Sequence, residues 1–157
     1  VMPFTFKDAW QLFVKNRLNA ISRNERQELS HKTTMALINS MERYPVYMIT
    51  HPGAKAQVDI RMLARFAAKK NVALEINPNH EVYRTKKDDN TYTNINYQQV
   101  SLKNVEYVKI AMEEGASFVI NSDAHAPEKV GEFGNALKIA DLAQVPLNRI
   151  INAQQVG

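Results

Sequence analysis

The chain has 157 residues, 45% hydrophobic and 23% charged, enough for one globular domain with a real core. It contains no cysteine, which excludes a disulfide scaffold, a thiolate metal site and a cysteine nucleophile. A net charge of +4 would suit a phosphorylated substrate or nucleic acid, but the basic residues are scattered over helix faces and read first as solvated surface.

In chain order, Thr5 with Asp8 resembles a helix start. Trp10, Phe13, Val14, Leu18 and Ile21 then recur at helical spacing. Ser22 to Gln27 is polar and is expected to break or bend that run. Ser30 is expected to cap a second helix carrying Met35, Leu37, Ile38 and Met41, which Tyr44-Pro45 ends because Pro disfavours helix at the residue before it.

From Val46 the pattern changes. Val46–Thr50 predicts a strand stopping at His51-Pro52-Gly53. Asp59–Lys70 predicts a helix with Ile60, Leu63, Ala64 and Ala67 inward and Arg61, Arg65, Lys69 and Lys70 outward. Val72–Ile76 is a second strand, and Glu81–Asn96 reads as a long polar loop. Leu102–Glu114 predicts a helix with Leu102, Val105, Val108 and Met112 as its apolar stripe, widened by Ala111 and Ile110, with Lys103 and Lys109 toward water and Gly115 as its stop. A third strand runs from Ala116 into Asn121-Ser122-Asp123-Ala124-His125. A helix over about Glu132–Ala143 follows, then a last short β or turn segment from Pro146 to Ala153, centred on Ile150 and Ile151.

Strands alternating with helices predict βα units and a parallel sheet, whose connecting loops gather ligands at the carboxyl ends of the strands. All three predicted strands end in potential ligands: His51, then Glu75 with His80 nearby, then Asp123 with His125. On an extended backbone residues i and i+2 point the same way, so Asp123 and His125 could converge on one divalent metal. A capping Asp and a surface His would explain the pair equally well. His51-Pro52-Gly53 also makes an ordinary turn. Glu75 interrupts an apolar strand, either as a buried carboxylate facing a polar site or as an outward residue of a half-exposed strand. Asn77 could bind a ligand or form an Asx turn, and the turn is favoured for Asn79. His80, and Arg84 with Lys86 and Lys87, read as solvated. His31 reaches a site only if its helix end faces the strand tips. There is no glycine-rich phosphate loop, Walker pattern or serine nucleophile elbow.

His51-Pro52-Gly53, Ala73-Leu74-Glu75-Ile76-Asn77, Asn121-Ser122-Asp123-Ala124-His125, Gly131-Glu132-Phe133 and Arg149-Ile150-Ile151-Asn152, in that order, resemble the polymerase and histidinol phosphatase (PHP) family, closest to its bacterial stand-alone phosphatases. The resemblance covers about Ser30 to Asn152. It implies an α/β fold, a distorted TIM-like (βα)7 barrel with two or three divalent ions (zinc, manganese or iron) at its C-terminal mouth. By motif, His51, Asp123 and His125 match metal ligands, while Glu75 and Asn77 match a strand lining the pocket on the substrate side or behind the ligands.

The family's opening His-x-His and its further early ligands have no counterpart here, so residues 1–157 are expected to be the C-terminal portion of one such domain, 1–43 mainly helical and 44–157 in βα units. The implied activity is metal-dependent hydrolysis of a small phosphorylated substrate by the intact protein, with little or none from this chain alone. The alternatives are the PHP module of a DNA polymerase, the one reading with a nucleic-acid partner, and a non-catalytic domain of the same fold. No apolar run approaches the roughly 20 residues that span a bilayer. A cytoplasmic protein without a membrane partner is expected, and an open barrel edge would favour pairing with a second copy.

Overall fold

The computed structural model describes residues 23–54, 56–77, 92–95 and 98–153, with the side chains of 23, 92–95 and 98–101 left aside. The helix expected over Trp10–Ile21 and the residues Asn79, His80, Arg84, Lys86 and Lys87 lie outside the described residues.

The first described helix, α1, spans Arg23–Arg43. Arg23–Gln27, part of the polar stretch expected to break or bend the preceding run, is helical, because Arg, Glu and Gln are good helix formers whatever their polarity. Ser30 therefore sits inside the helix and caps nothing; its carbonyl accepts the Thr34 hydroxyl at 2.7 Å. Leu29, Thr34, Ile38 and Met41 form the buried stripe.

Three parallel strands follow: β1 (Met48–Ile49), β2 (Ala73–Ile76) and β5 (Phe118–Ile120), in the order β1-β2-β5. Ile49 pairs with Leu74 and Leu74 with Phe118, while Ile76 pairs with Ile120. These side chains form one face of the sheet and enter the hydrophobic core. Helices α2 (Ile60–Lys70), α3 (Leu102–Glu113) and α4 (Gly134–Leu142) supply the rest of that core through Leu63, Ala64 and Ala67, Val105, Val108 and Ala111, and Ala136, Ile139 and Ala140. Every residue of β2 is buried, on both faces, which is why its sequence reads as a near-continuous apolar run.

Helix α2 has the expected orientation: Asp59 caps it by accepting from the Met62 N–H at 2.9 Å, and Asn71 ends it in a left-handed conformation. In α3 the buried stripe is Val105, Val108 and Ala111; Leu102 is 43% exposed, Met112 is partly exposed and Lys103 is half-buried. All three buried residues belong to the expected apolar face, and Leu102 lies at the rim where the helix starts directly from a strand. That strand belongs to an antiparallel hairpin, β3 (Tyr92–Ile95) and β4 (Gln98–Ser101), which replaces the end of the expected loop.

The closing segment is two short 3-10 turns, Leu147–Arg149 and Ile151–Ala153, around Ile150, which bridges to Phe118 in parallel fashion. Arg149 Nη1 donates to the Gly115 carbonyl at 2.9 Å. Asn152 both accepts from the Ile120 N–H (3.2 Å) and donates to its carbonyl (2.7 Å), so the segment pairs along the outer edge of β5. Ile150 is buried, whereas Ile151 is 43% exposed. The three parallel strands form an open sheet and β3–β4 a separate two-stranded one, so the described strands close no barrel. No helix among the described residues is long and apolar enough to cross a membrane.

Candidate functional site

The carboxyl ends of the three parallel strands lie side by side, and one side chain joins them. Glu75, on the central strand, is 8% exposed, so the outward-facing alternative is excluded. Its Oε2 accepts the His51 backbone N–H at 2.6 Å and Asn77 Nδ2 at 3.1 Å, while Oε1 accepts Asn121 Nδ2 at 3.2 Å. Asn77 is itself buried at 5% exposure. A buried carboxylate is costly unless hydrogen-bonded, and these charge-assisted bonds offset that cost while tying β1 and β5 to β2. Asn121 Nδ2 also lies 3.8 Å from Met48 Sδ, a second link between the outer strands.

Both ligand candidates next to these ties have left-handed backbones: φ is 31° at His51 and 48° at Asp123. Among the described non-glycine residues, Asn71 and Gln144 are the others with positive φ, and both follow helix ends, where that conformation is routine. At strand tips it costs free energy. It also corrects the expectation of an extended Asp-x-His pair. β5 stops at Ile120, and the backbone leaves the extended conformation at Asp123. His125 is exposed, and its Nδ1 lies 2.8 Å from the Asp123 carbonyl. A carbonyl can only accept, so Nδ1 carries the proton and, in the neutral ring, Nε2 keeps its lone pair. Asp123 is partly buried, with Oδ2 closed off from solvent.

The His51 loop rests on Tyr107, a residue the sequence reading did not single out. Gly53 has φ +86°, and a Cβ there would lie 2.8 Å from the Tyr107 hydroxyl. That hydroxyl donates to the Val58 carbonyl at 3.0 Å, and burial pushes its pKa well above the ordinary 10. The signal was available: a tyrosine beside an apolar helix stripe needs a partner for its hydroxyl. Asn121 and Asn152 were quoted in motifs without roles, and their hydrogen bonds now assign them. Below the loop is a cavity of about 40 Å³, lined by His51, Glu75, Asn77 and Tyr107 among largely apolar neighbours. It could hold a few water molecules but is far smaller than the roughly 300 Å³ of a small-molecule site.

The structure thus joins Glu75, Asn77 and the His51 backbone directly, and the β5 tip through Asn121. Among the described residues, no three His, Asp or Glu side chains form a group that could hold a metal ion. His51, Asp123 and His125 share the carboxyl edge of the sheet without making a metal site by themselves.

No family model matches the chain. It is 36% identical over 121 residues to a probable phosphatase of Shewanella piezotolerans, covering 76% of this chain and 44% of that protein. It is 33% identical over 121 residues, with the same coverage, to the probable phosphatase YcdX of Shigella flexneri and of Escherichia coli O139:H28. The chain spans less than half the length of these curated relatives.

Proposed function

We propose that the whole protein to which this chain belongs is a phosphatase of the PHP type, a metal-dependent hydrolase acting on a small phosphorylated substrate. The observation that carries the reading is the similarity to probable phosphatases, together with His51, Glu75 and Asp123 at one sheet edge in a geometry that costs free energy to maintain. In this reading His51, Asp123 and His125 are ligands to two or three divalent ions (zinc, manganese or iron), the remaining ligands coming from outside the described residues in a TIM-like barrel. When bound, the ions would polarise phosphoryl oxygens and acidify a water near neutral pH. His125 would bind through Nε2, its orientation fixed by the bond from Nδ1 to the Asp123 carbonyl. Asn77 and Glu75 would line the floor of the site.

The test is hydrolysis of p-nitrophenyl phosphate by the full-length protein with Mn²⁺ or Zn²⁺. Activity should disappear with EDTA and return with metal, and His125→Ala should lower kcat/KM by about 100-fold or more, beyond the usual cost of an outer-shell change. Full activity in EDTA, or a fully active His125→Ala variant, refutes the reading.

A further inference from the structure

Both oxygens of Glu75 are committed to donors of the protein, and those donors come from all three strand tips. Its partners adjoin the two described non-glycine positions where the backbone is left-handed without a helix end to explain it. The His51 N–H is bonded directly, and Asn121 lies two residues before Asp123. A conformation that costs free energy persists only when its surroundings over-determine it. We propose that Glu75 is a positioning residue that clamps the tips of β1 and β5 to β2, so that His51 and Asp123 are presented from left-handed backbone, and that it touches neither phosphate nor cation. The inference deepens the phosphatase reading and rests on it for what the presented groups do, but the clamp itself is a statement of geometry.

Reach and charge make opposite forecasts. Gln at 75 keeps the length: its Oε1 can still accept the His51 N–H, and its amide can donate to Asn121 turned over. Asp keeps the charge but is one methylene short of bridging both sides. In the 15N-labelled full-length protein, the His51 amide should exchange at least about tenfold more slowly than an unprotected peptide. Glu75→Gln should retain that protection and Glu75→Asp should lose it, while the Leu74 amide, bonded within the sheet to the Ser117 carbonyl, stays protected in both. Protection kept by Asp and lost by Gln, or a fast His51 amide in the wild type, overturns the clamp.

Should Glu75→Asp fail to fold, Asn121→Ala removes one arm alone. It should shift the Asp123 13Cα resonance and leave the His51 amide protected; an unchanged Asp123 resonance overturns the proposal. Glu75→Gln should also leave Mn²⁺ affinity within about tenfold of wild type, the low end of an outer-shell change, and a much larger loss would make Glu75 a ligand instead. None of these readouts needs turnover. A protein that hydrolyses no phosphate ester but shows this exchange pattern refutes the phosphatase reading alone, and an active enzyme with an unprotected His51 amide refutes the clamp alone.

Discussion

His51 sits in a left-handed turn because a buried carboxylate holds its N–H and a tyrosine supports the loop from below. The fit at Gly53 is tight: a methyl group there would meet the Tyr107 hydroxyl, at a backbone angle that non-glycine residues rarely adopt. Gly53→Ala should therefore destabilise the fold by about 1–3 kcal/mol in a denaturant titration. Tyr107→Phe, which leaves the Val58 carbonyl without that donor, should cost about 1 kcal/mol. An unchanged midpoint in both variants would show that the loop does not depend on this support. That His51, Glu75 and Asp123 stand at or just beyond the strand ends was legible in the sequence, because a motif is a local pattern. The sequence could not show that Glu75 spends both oxygens on neighbours 24 and 46 residues away, because that depends on strand order and register.

Between elements, polar side chains set the spacing that the apolar core alone leaves loose. Thr34 is fully buried in α1; its hydroxyl donates to the Ser30 carbonyl and accepts the Asp59 N–H at 2.8 Å, just where Asp59 caps α2. Thr34→Val keeps the volume and strands that N–H, so it should cost about 1–2 kcal/mol by thermal or chemical unfolding. On the outer side, Arg61 and Arg65 of α2 both bond Glu114 at the end of α3, whose side chain is 11% exposed. These bonds hold its carboxyl below the ordinary 4.5. The pairing thus contributes fully above that value and is lost as pH falls through the lower folded value. Glu114→Gln should be less stable than wild type at pH 7, with the gap closing below about pH 4. A gap independent of pH would assign the loss to packing instead. Helix α2 was legible from its periodicity, because its apolar and basic faces stay separate along its length. The start of α1 and the β3–β4 hairpin were not: one is polar but helix-favouring, the other has no apolar alternation to mark it.

At the scale of the molecule, the sheet is asymmetric. The outer edge of β5 is paired by Ile150 and Asn152, but among the described residues no strand pairs with the outer edge of β1, where Tyr44 and Tyr47 are exposed. An open edge favours pairing with a second copy, and a light-scattering mass equal to the 17.9 kDa of one chain would count against that outcome. The same asymmetry bears on metal. The described carboxyl edge offers ligand candidates but gathers no three of them, and a divalent cation held by fewer protein ligands keeps more of its water and leaves more readily. If the ions of the proposed phosphatase take ligands from beyond these 157 residues, the chain alone should bind Mn²⁺ at least about 100-fold more weakly than the full-length protein and lose it on desalting. Calorimetry and elemental analysis of the two preparations, side by side, measure this directly. If the chain alone retains stoichiometric metal, ligands from elsewhere in the protein are not required.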